Sequence, residues 1–328
     1  MDARTLKMLD LIDALEEQFP SAPHVPEECV WWWSADDARA WYASDGRTKP
    51  EAQDDAATLK RWFPGLERSG TQRDKPRIRV LCFPNAGNTE DMFTHEGTGE
   101  RRAKSPLLEW AKENDAEILA VQYPGRANRK DESYAFNIYE ITEPLLPVVG
   151  RKLNELPYVV IGHSVGAWIG FEFLQLLRSR GCRMPEHVFF SAFPFPDIQH
   201  VDRPWRINVH LDEEAFKNEC RKWDVNELIF GGLWSVYHDL MRADFHLFDK
   251  YDYAHAGKEN FSWPLTVFHG EHDRMITYDM VACWETHTSG RFEGPITIPG
   301  HHLFPLQKEQ KSLWLTMIVE RLGKIEID

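Results

Sequence analysis

The stretch VVIGHSVGAWIGFEF, residues 159–173, leaves few folds open to this chain. It begins as a run of β-branched apolar residues, typical of a buried strand, and ends as an apolar helix, with Gly-His-Ser-Val-Gly between the two. A sharp strand-to-helix turn strains the backbone of its central residue and needs small neighbours, so that adjacent Cβ atoms do not collide. The pattern therefore predicts a nucleophile elbow that presents the hydroxyl of Ser164 at the end of a buried strand.

The remainder of the chain supports a sheet covered by helices. From about residue 76, short apolar runs alternate with amphipathic segments of helix length. The predicted strands are 77–83, 117–123, 158–162, 187–193, 264–270 and 295–300, and the predicted helices are 105–114, 137–153, 165–180, 276–288 and 308–322. Near-continuous apolar strands that alternate with helices indicate the α/β class, with a mostly parallel, doubly wound sheet.

Two segments depart from this alternation. About 65 residues after Phe193 contain helical patterns and no strand, which predicts an inserted helical lid at about 199–260. We call this stretch the lid segment. Residues 1–60 also lack strand patterns, include a predicted helix at 4–18 and are rich in tryptophan (Trp31, Trp32, Trp33 and Trp41). We expect a helical extension, 1–60, that packs on the sheet-containing domain, 61–328.

Composition limits the partners and the compartment. A formal net charge of −14 argues against nucleic acid, whose phosphates require a concentrated basic face. No apolar stretch approaches the ~20 residues of a membrane span, and the acidic N-terminus does not resemble a signal peptide. Five widely spaced cysteines do not suggest a disulfide framework. We expect a cytoplasmic protein.

An elbow serine needs a base, and the base needs an acid to orient it. In this kind of fold the acid follows the serine in sequence and precedes the histidine. The segment FHGEHDRM follows a predicted strand and offers Asp273, with Asp197 after the preceding strand as the alternative acid. The segment IPGHHLFP follows the last strand and offers His301 and His302, between which the pattern alone does not decide.

The negative charge that develops on a carbonyl oxygen needs two backbone donors. The N–H of Val165 is one candidate, since it begins the helix after the elbow, and the tight turn in CFPNAGNTED offers the N–H of Ala86. That turn is also compatible with a simple β-to-α connection. We find neither a metal-ligand pattern nor a glycine-rich phosphate loop, and we predict no metal and no cofactor.

Together these motifs resemble the type II thioesterases of the α/β-hydrolase fold, which accompany polyketide, nonribosomal peptide and fatty-acid synthases. LCFPNAGNTEDMF resembles the oxyanion loop of that family, AVQYPGRANR its Gln-Tyr-Pro-Gly-Arg signature and GHSVGA its elbow. LMRADFHLFDKY resembles a lid motif, and PGHHLFP resembles the terminal Pro-Gly-Gly-His motif, which selects His302 as the base. The similarity covers about residues 60–322.

The resemblance implies hydrolysis of an acyl thioester carried on the phosphopantetheine arm of an acyl or peptidyl carrier protein, or on coenzyme A. Ser164 would attack the carbonyl, His302 would take the serine proton, Asp273 would hold the imidazolium, and the amides of Ala86 and Val165 would bind the oxyanion. An acyltransferase or a carboxylester hydrolase would use the same residues. A catalytically silent binding module is the alternative from another class.

The chain departs from the family at several positions. Asn85 stands where the family usually has histidine, and Asn88 where it has a second glycine. The family also lacks the first ~60 residues and the polar insertion THEGTGERRAKSP. The insertion carries Arg101, Arg102 and Lys104, and another rim loop carries Arg126 and Arg129. We expect some of these to contact the phosphate of the arm or an acidic carrier protein, with solvated loop charges as the alternative.

Overall fold

The computed structural model describes residues 3–25, 35–46, 56–99 and 102–325. Within these ranges one six-stranded sheet has the order β2-β1-β3-β4-β5-β6, and all neighbouring strands are parallel. The strands are β1 (Ile78–Phe83), β2 (Ala116–Ala120), β3 (Tyr158–His163), β4 (His187–Ser191), β5 (Leu265–Gly270) and β6 (Phe292–Ile298). The predicted α/β class is confirmed, and each predicted strand is present with its ends shifted by a few residues at most.

Helices cover the sheet and also make up the lid segment and the described part of the N-terminal extension. They are α1 (Ala3–Gln18), α2 (Ala35–Ala43), α3 (Ala56–Trp62), α4 (Gly65–Arg68), α5 (Asp91–Thr94), α6 (Pro106–Glu113), α7 (Tyr139–Glu155), α8 (Val165–Ser179), α9 (Glu213–Lys222), α10 (Trp234–Asp249), α11 (Tyr278–Ala282) and α12 (Lys308–Leu322). The predicted helix at 276–288 is wrong in extent, because α11 gives way to a 3-10 turn at Cys283–His287. That turn buries Trp284, whose indole N–H donates to the carbonyl of Phe193 at 2.9 Å.

Buried apolar side chains lie on both faces of the sheet. In β3, Val160 packs with the helices and aromatic residues of one face, whereas Val159 and Ile161 pack on the other. This alternation follows from the two-residue period of a strand, and burial on both sides explains why the sequence of β3 is continuously apolar. Each fully buried valine or isoleucine contributes about 1.5–3 kcal/mol relative to an exposed one.

The strand order reverses between β1 and β3. From β1 the chain crosses to β2 on one side, and then returns to β3 on the other side of β1. Phe83 at the end of β1 pairs in register with Gly162 near the end of β3, so the loops that follow these strands leave the sheet side by side. Ligand sites of open α/β sheets form in the crevice at such a reversal. The topology therefore places the elbow serine where a site is expected.

The lid segment contains α9 and α10 and no strand, in agreement with the sequence pattern. Its aromatic side chains pack against the sheet end: Trp205 stacks on Phe193 with ring centroids 5.6 Å apart, and Phe248 meets both rings edge-on. Such aromatic pairs add about 0.5–1.5 kcal/mol each beyond the area they bury. Within the described residues, no helix is long and apolar enough to cross a membrane.

The described part of the N-terminal extension has its own apolar cluster. Helices α1 and α2 bury Met8, Ile12 and Trp41 in a cluster separate from the two that flank the sheet. Trp31, Trp32 and Trp33 lie outside the described residues. The expected boundary at residue 60 falls inside α3, whose Trp62 belongs to a cluster of the sheet. The boundary at residue 60 and the docking of the extension on the sheet unit both stay predictions.

A buried carboxyl in the lid segment predicts a pH-dependent stability. Asp249, the last residue of α10, accepts a hydrogen bond from the backbone N–H of Asn208 at 2.7 Å, while its Oδ1 atom finds no partner among the described residues. Burial raises the pKa of Asp249 to about 7. In the unfolded chain, Asp249 ionises near pH 4. The contribution of Asp249 to the free energy of unfolding therefore falls as the pH rises from about 4 to about 7. Asp249→Asn, neutral throughout, is expected to raise the unfolding midpoint more at pH 8 than at pH 5. Urea unfolding at the two pH values measures this, and equal shifts would contradict it.

Candidate active site

The elbow has the backbone that its sequence predicts. Ser164 adopts φ 55° and ψ −131°, a strained conformation for a residue with a side chain. A Cβ atom on Gly162 would lie 2.6 Å from the carbonyl oxygen of Gly166, and one on Gly166 would lie 2.2 Å from that of Phe83. Both glycines are therefore required by close backbone contacts, one within the elbow and the other with the end of β1.

A chain of hydrogen bonds begins at the elbow serine. The Oγ atom of Ser164 lies 2.8 Å from Nε2 of His302, and Nδ1 of the same ring lies 2.7 Å from Oδ2 of Asp273. His302 stands in the loop after β6 and Asp273 in the loop after β5. An ionised carboxylate only accepts, so Nδ1 carries the ring proton and Nε2 is left to accept the serine proton. The arrangement suits general-base activation of the serine.

The surroundings of Asp273 favour its ionised form. Burial alone would raise the pKa of this carboxyl, but the charge of His302, the hydrogen bond to its ring and two backbone donors outweigh burial and hold the pKa below its usual value. The donors are the N–H groups of Met275 and Ile276, each 2.9 Å from Oδ1. A carboxylate that stays charged at neutral pH stabilises the imidazolium that forms when His302 takes a proton.

The two alternatives that the sequence left open lie outside this chain of hydrogen bonds. Asp197 faces the ring of His287, 3.2 Å away, at a cavity of about 520 Å³ beside the end of α8. His301 points toward Asp224, with its Nδ1 atom 3.7 Å from the carboxylate. The geometry therefore brings together Ser164, Asp273 and His302, the residues selected by position and resemblance.

Sequence reasoning missed the part played by His163. Its buried ring places Nε2 3.0 Å from the carbonyl oxygen of His302 and Nδ1 2.8 Å from Oγ of Ser191. A carbonyl only accepts, so Nε2 carries the proton and Nδ1 accepts from the Ser191 hydroxyl. Burial, with the nearby charge of His302, lowers the pKa of His163 well below its usual value, so the ring stays neutral. His163 thus links β3, which ends at the elbow, to the loop after β6 that carries His302.

The lid segment also contacts the base. The ring of Trp223 meets the imidazole of His302 edge-on, with centroids 4.7 Å apart, and Oδ2 of Asp224 accepts from the backbone N–H of His302 at 3.2 Å. Asp224 also forms an ion pair with Arg274, the residue that follows Asp273. No local pattern indicates these contacts, since the partners come from loops almost 80 residues apart.

The two predicted oxyanion donors stand on facing segments. The carbonyl oxygens of Phe83 and Pro84 lie within 3 Å of where a Gly166 Cβ would stand, so the loop after β1 packs directly on the first turn of α8. That loop carries Ala86, and Val165 begins α8. The helix N-terminus adds a partial positive charge at this point. The donor roles of Ala86 and Val165 stay predictions that this packing supports.

The expected phosphate contacts of Arg126 and Arg129 are not supported. Both side chains are only 5% exposed. Arg126 pairs with Asp244, while Arg129 pairs with Glu132 and lies 3.9 Å over the ring of Trp62. Because each guanidinium is used inside the protein, neither is free to meet a ligand phosphate.

The described basic side chains of the polar insertion that follows α5 are far more exposed than those of Arg126 and Arg129. Arg102 is 71% exposed and 3.7 Å from Glu96, and the exposed Lys104 pairs with Glu109. Arg101 lies outside the described residues. A phosphate or carrier contact by this insertion stays a prediction.

A parallel sheet whose elbow serine stands at the reversal of strand order, with a helical segment inserted after β4, defines an α/β hydrolase. Residues 79–325 match the family model described as Thioesterase domain, so the chain belongs to the thioesterase family and is a thioesterase. The resemblance found in the sequence is thereby confirmed.

Known relatives agree with this assignment. The gramicidin S biosynthesis protein GrsT of Aneurinibacillus migulanus is 28% identical over 251 residues, which cover 75% of this chain and 88% of that protein. Among solved structures, the type II thioesterase BorB from the borrelidin biosynthetic cluster is 26% identical with a TM-score of 0.61, covering 76% of this chain and 94% of that one. RedJ, a thioesterase of the prodiginine pathway in Streptomyces coelicolor, is 25% identical with a TM-score of 0.62, covering 75% and 86%.

Proposed function

We propose that this thioesterase hydrolyses acyl groups bound to the phosphopantetheine arm of a carrier protein, or to coenzyme A, through an acyl-enzyme on Ser164. The observation that carries the proposal is the chain of hydrogen bonds from Ser164 through His302 to Asp273, in a chain that belongs to the thioesterase family. Hydrolysis needs an activated nucleophile, a proton carrier and a group that stabilises the resulting imidazolium, and these residues supply all three.

In the first half-reaction, Oγ of Ser164 attacks the thioester carbonyl while Nε2 of His302 takes the serine proton. The N–H groups of Ala86 and Val165 stabilise the oxyanion of the tetrahedral intermediate. Collapse of that intermediate breaks the carbon–sulfur bond, and the imidazolium returns its proton to the departing thiolate. In the second half-reaction His302 activates water, which attacks the acyl-enzyme and releases the acid and free Ser164.

The names of the relatives support a carrier-bound substrate. GrsT is named for gramicidin S biosynthesis, and BorB and RedJ for the borrelidin and prodiginine pathways. A stand-alone thioesterase in such a setting removes acyl groups from carriers, either to clear stalled chains or to release a product. We assign this chain the same substrate class, with a nonribosomal peptide or polyketide synthase, or a fatty-acid synthase, as its partner.

A substrate panel tests the proposal. Acyl-pantetheine, acyl-coenzyme A and acyl-carrier protein thioesters, from acetyl to long chain, are compared with p-nitrophenyl esters of the same acids, with and without alcohol or amine acceptors. We expect the highest kcat/KM on carrier-bound or coenzyme A thioesters, with free acid as the product. A flat profile over chain length indicates editing, and a sharp optimum indicates dedicated release. Faster turnover of the oxygen esters, or transfer to the acceptors in place of hydrolysis, would contradict the proposal.

A further inference from the structure

A buried ion pair joins the lid segment to the loop after β2. Arg126 and Asp244 form two parallel hydrogen bonds, from Nη1 to Oδ2 at 2.6 Å and from Nη2 to Oδ1 at 2.5 Å. Asp244, on α10, is 1% exposed. Desolvation cancels much of the attraction in such a pair, so a buried ion pair is a weak source of net stability. The contacts that the pair makes with its neighbours say more about its role.

The same carboxylate holds the turn after β1, residues 84–88, which we call the oxyanion loop. Oδ2 of Asp244 accepts from the backbone N–H of Gly87 at 2.6 Å, and Nη1 of Arg126 donates to the carbonyl of Asn88 at 3.1 Å. Gly87 has φ +77°, and a Cβ atom on it would lie 2.5 Å from Sδ of Met241, so α10 rests directly on this turn.

These contacts fix the peptide plane that follows the predicted oxyanion donor. The N–H of the Ala86–Gly87 peptide donates to Asp244, and its carbonyl accepts from Nδ2 of Asn85 at 2.9 Å. Asn88 holds Asn85 in turn, with Nδ2 donating to Oδ1 at 3.0 Å. A peptide held at both its N–H and its C=O restrains the ψ angle of Ala86, and so narrows the directions in which the Ala86 N–H can point. The departures from the family at 85 and 88 thus belong to the same network.

We propose that Asp244 is a positioning residue that holds the oxyanion loop in its catalytic shape, and that Arg126 orients Asp244 for this task. The lid segment thereby takes part in transition-state stabilisation. The inference rests on the proposed function, since it assumes that the loop binds an oxyanion. Preorganised donors act because they are already aimed when charge develops, and the loss of one oxyanion donor costs about 10²–10³ in kcat.

Two variants separate positioning from folding. Asp244→Asn keeps the shape of the side chain but sets an amide donor against Arg126 or Gly87. The double variant Arg126→Met, Asp244→Leu removes both charges together, so no lone buried charge remains, and such replacements are often neutral or stabilising. For both variants we measure kcat and KM with an acyl-pantetheine substrate, the rate of Ser164 labelling by a fluorophosphonate, and the thermal unfolding midpoint. We expect kcat and the labelling rate to fall together by about 10- to 100-fold, with KM within threefold and the double variant folded.

Asp249→Asn is the matched control, since Asp249 is an equally buried aspartate on the same helix that contacts Asn208 and not the oxyanion loop. Its kcat is expected to stay within twofold of the wild type.

The inference is overturned if the double variant keeps the wild-type kcat, if KM rises in place of the fall in kcat, if labelling is unaffected, or if the double variant does not fold. The wild-type enzyme tests the proposed function separately: absence of thioester hydrolysis refutes the function, whereas the ratio of variant to wild-type labelling still tests the loop.

Discussion

Replacing Ser164 by alanine is expected to lower kcat for thioester hydrolysis by about 10⁴-fold or more, because the acyl-enzyme needs the hydroxyl and nothing else at the elbow can replace it. Oγ of Ser164 lies 2.8 Å from Nε2 of His302 at the sheet end, where a carbonyl can be attacked. Alanine adopts the strained φ of 55° about as readily as serine, so the unfolding midpoint should change little. Steady-state kinetics on an acyl-pantetheine substrate and labelling by a fluorophosphonate measure the effect.

Ser179→Ala, at the other end of α8, is the control for the substitution itself. Its hydroxyl donates to the carbonyl of Leu176 at the surface, far along the helix from the elbow. It should retain wild-type kcat and full labelling. Persistent hydrolysis and labelling in Ser164→Ala would show that another residue is the nucleophile. A wild-type protein that binds acyl-carrier protein without hydrolysing it, and is not labelled, would instead support the silent binding module.

The sheet and the elbow were predictable from sequence because local patterns determine them. Strands buried on both faces are almost continuously apolar, and close contacts with neighbouring backbone require glycine at Gly162, near the end of β3, and at Gly166. Position relative to strand ends also indicated Asp273 and the His301–His302 pair, since loops at the same end of parallel strands converge. The choice of His302 needed the family resemblance.

The remaining site contacts join distant parts of the chain, and local patterns carry no information about them. Arg126 was expected at the rim because its charge is visible in the sequence, whereas its carboxylate partner lies 118 residues further on, in the lid segment. His163 stands at the variable position of the elbow, and its hydrogen bond to the carbonyl of His302 spans 139 residues. Sequence shows which groups carry charge or polarity, but only the packing of distant segments in the folded chain decides which of them are paired.

Replacing Asp273 by asparagine is expected to lower kcat by about 10⁴-fold, whereas Asp197→Asn should leave it within twofold. An amide at 273 keeps one oxygen for the N–H groups of Met275 and Ile276, so the loop and the fold should persist. Its NH₂ group would then face Nδ1 of His302, which would have to accept, leaving Nε2 protonated and unable to take the serine proton.

The comparison decides between the two acids that the sequence left open, because both are aspartates after neighbouring strands and both lie near a histidine. Loss of activity in Asp197→Asn with retention in Asp273→Asn would reverse the assignment.

Raising the pH adds a further test. The Asp273→Asn variant should regain activity only at alkaline pH, where direct deprotonation of the serine or water by hydroxide replaces the missing base. Rates from pH 6 to 10, with the unfolding midpoint at each pH, separate this mechanism from simple destabilisation.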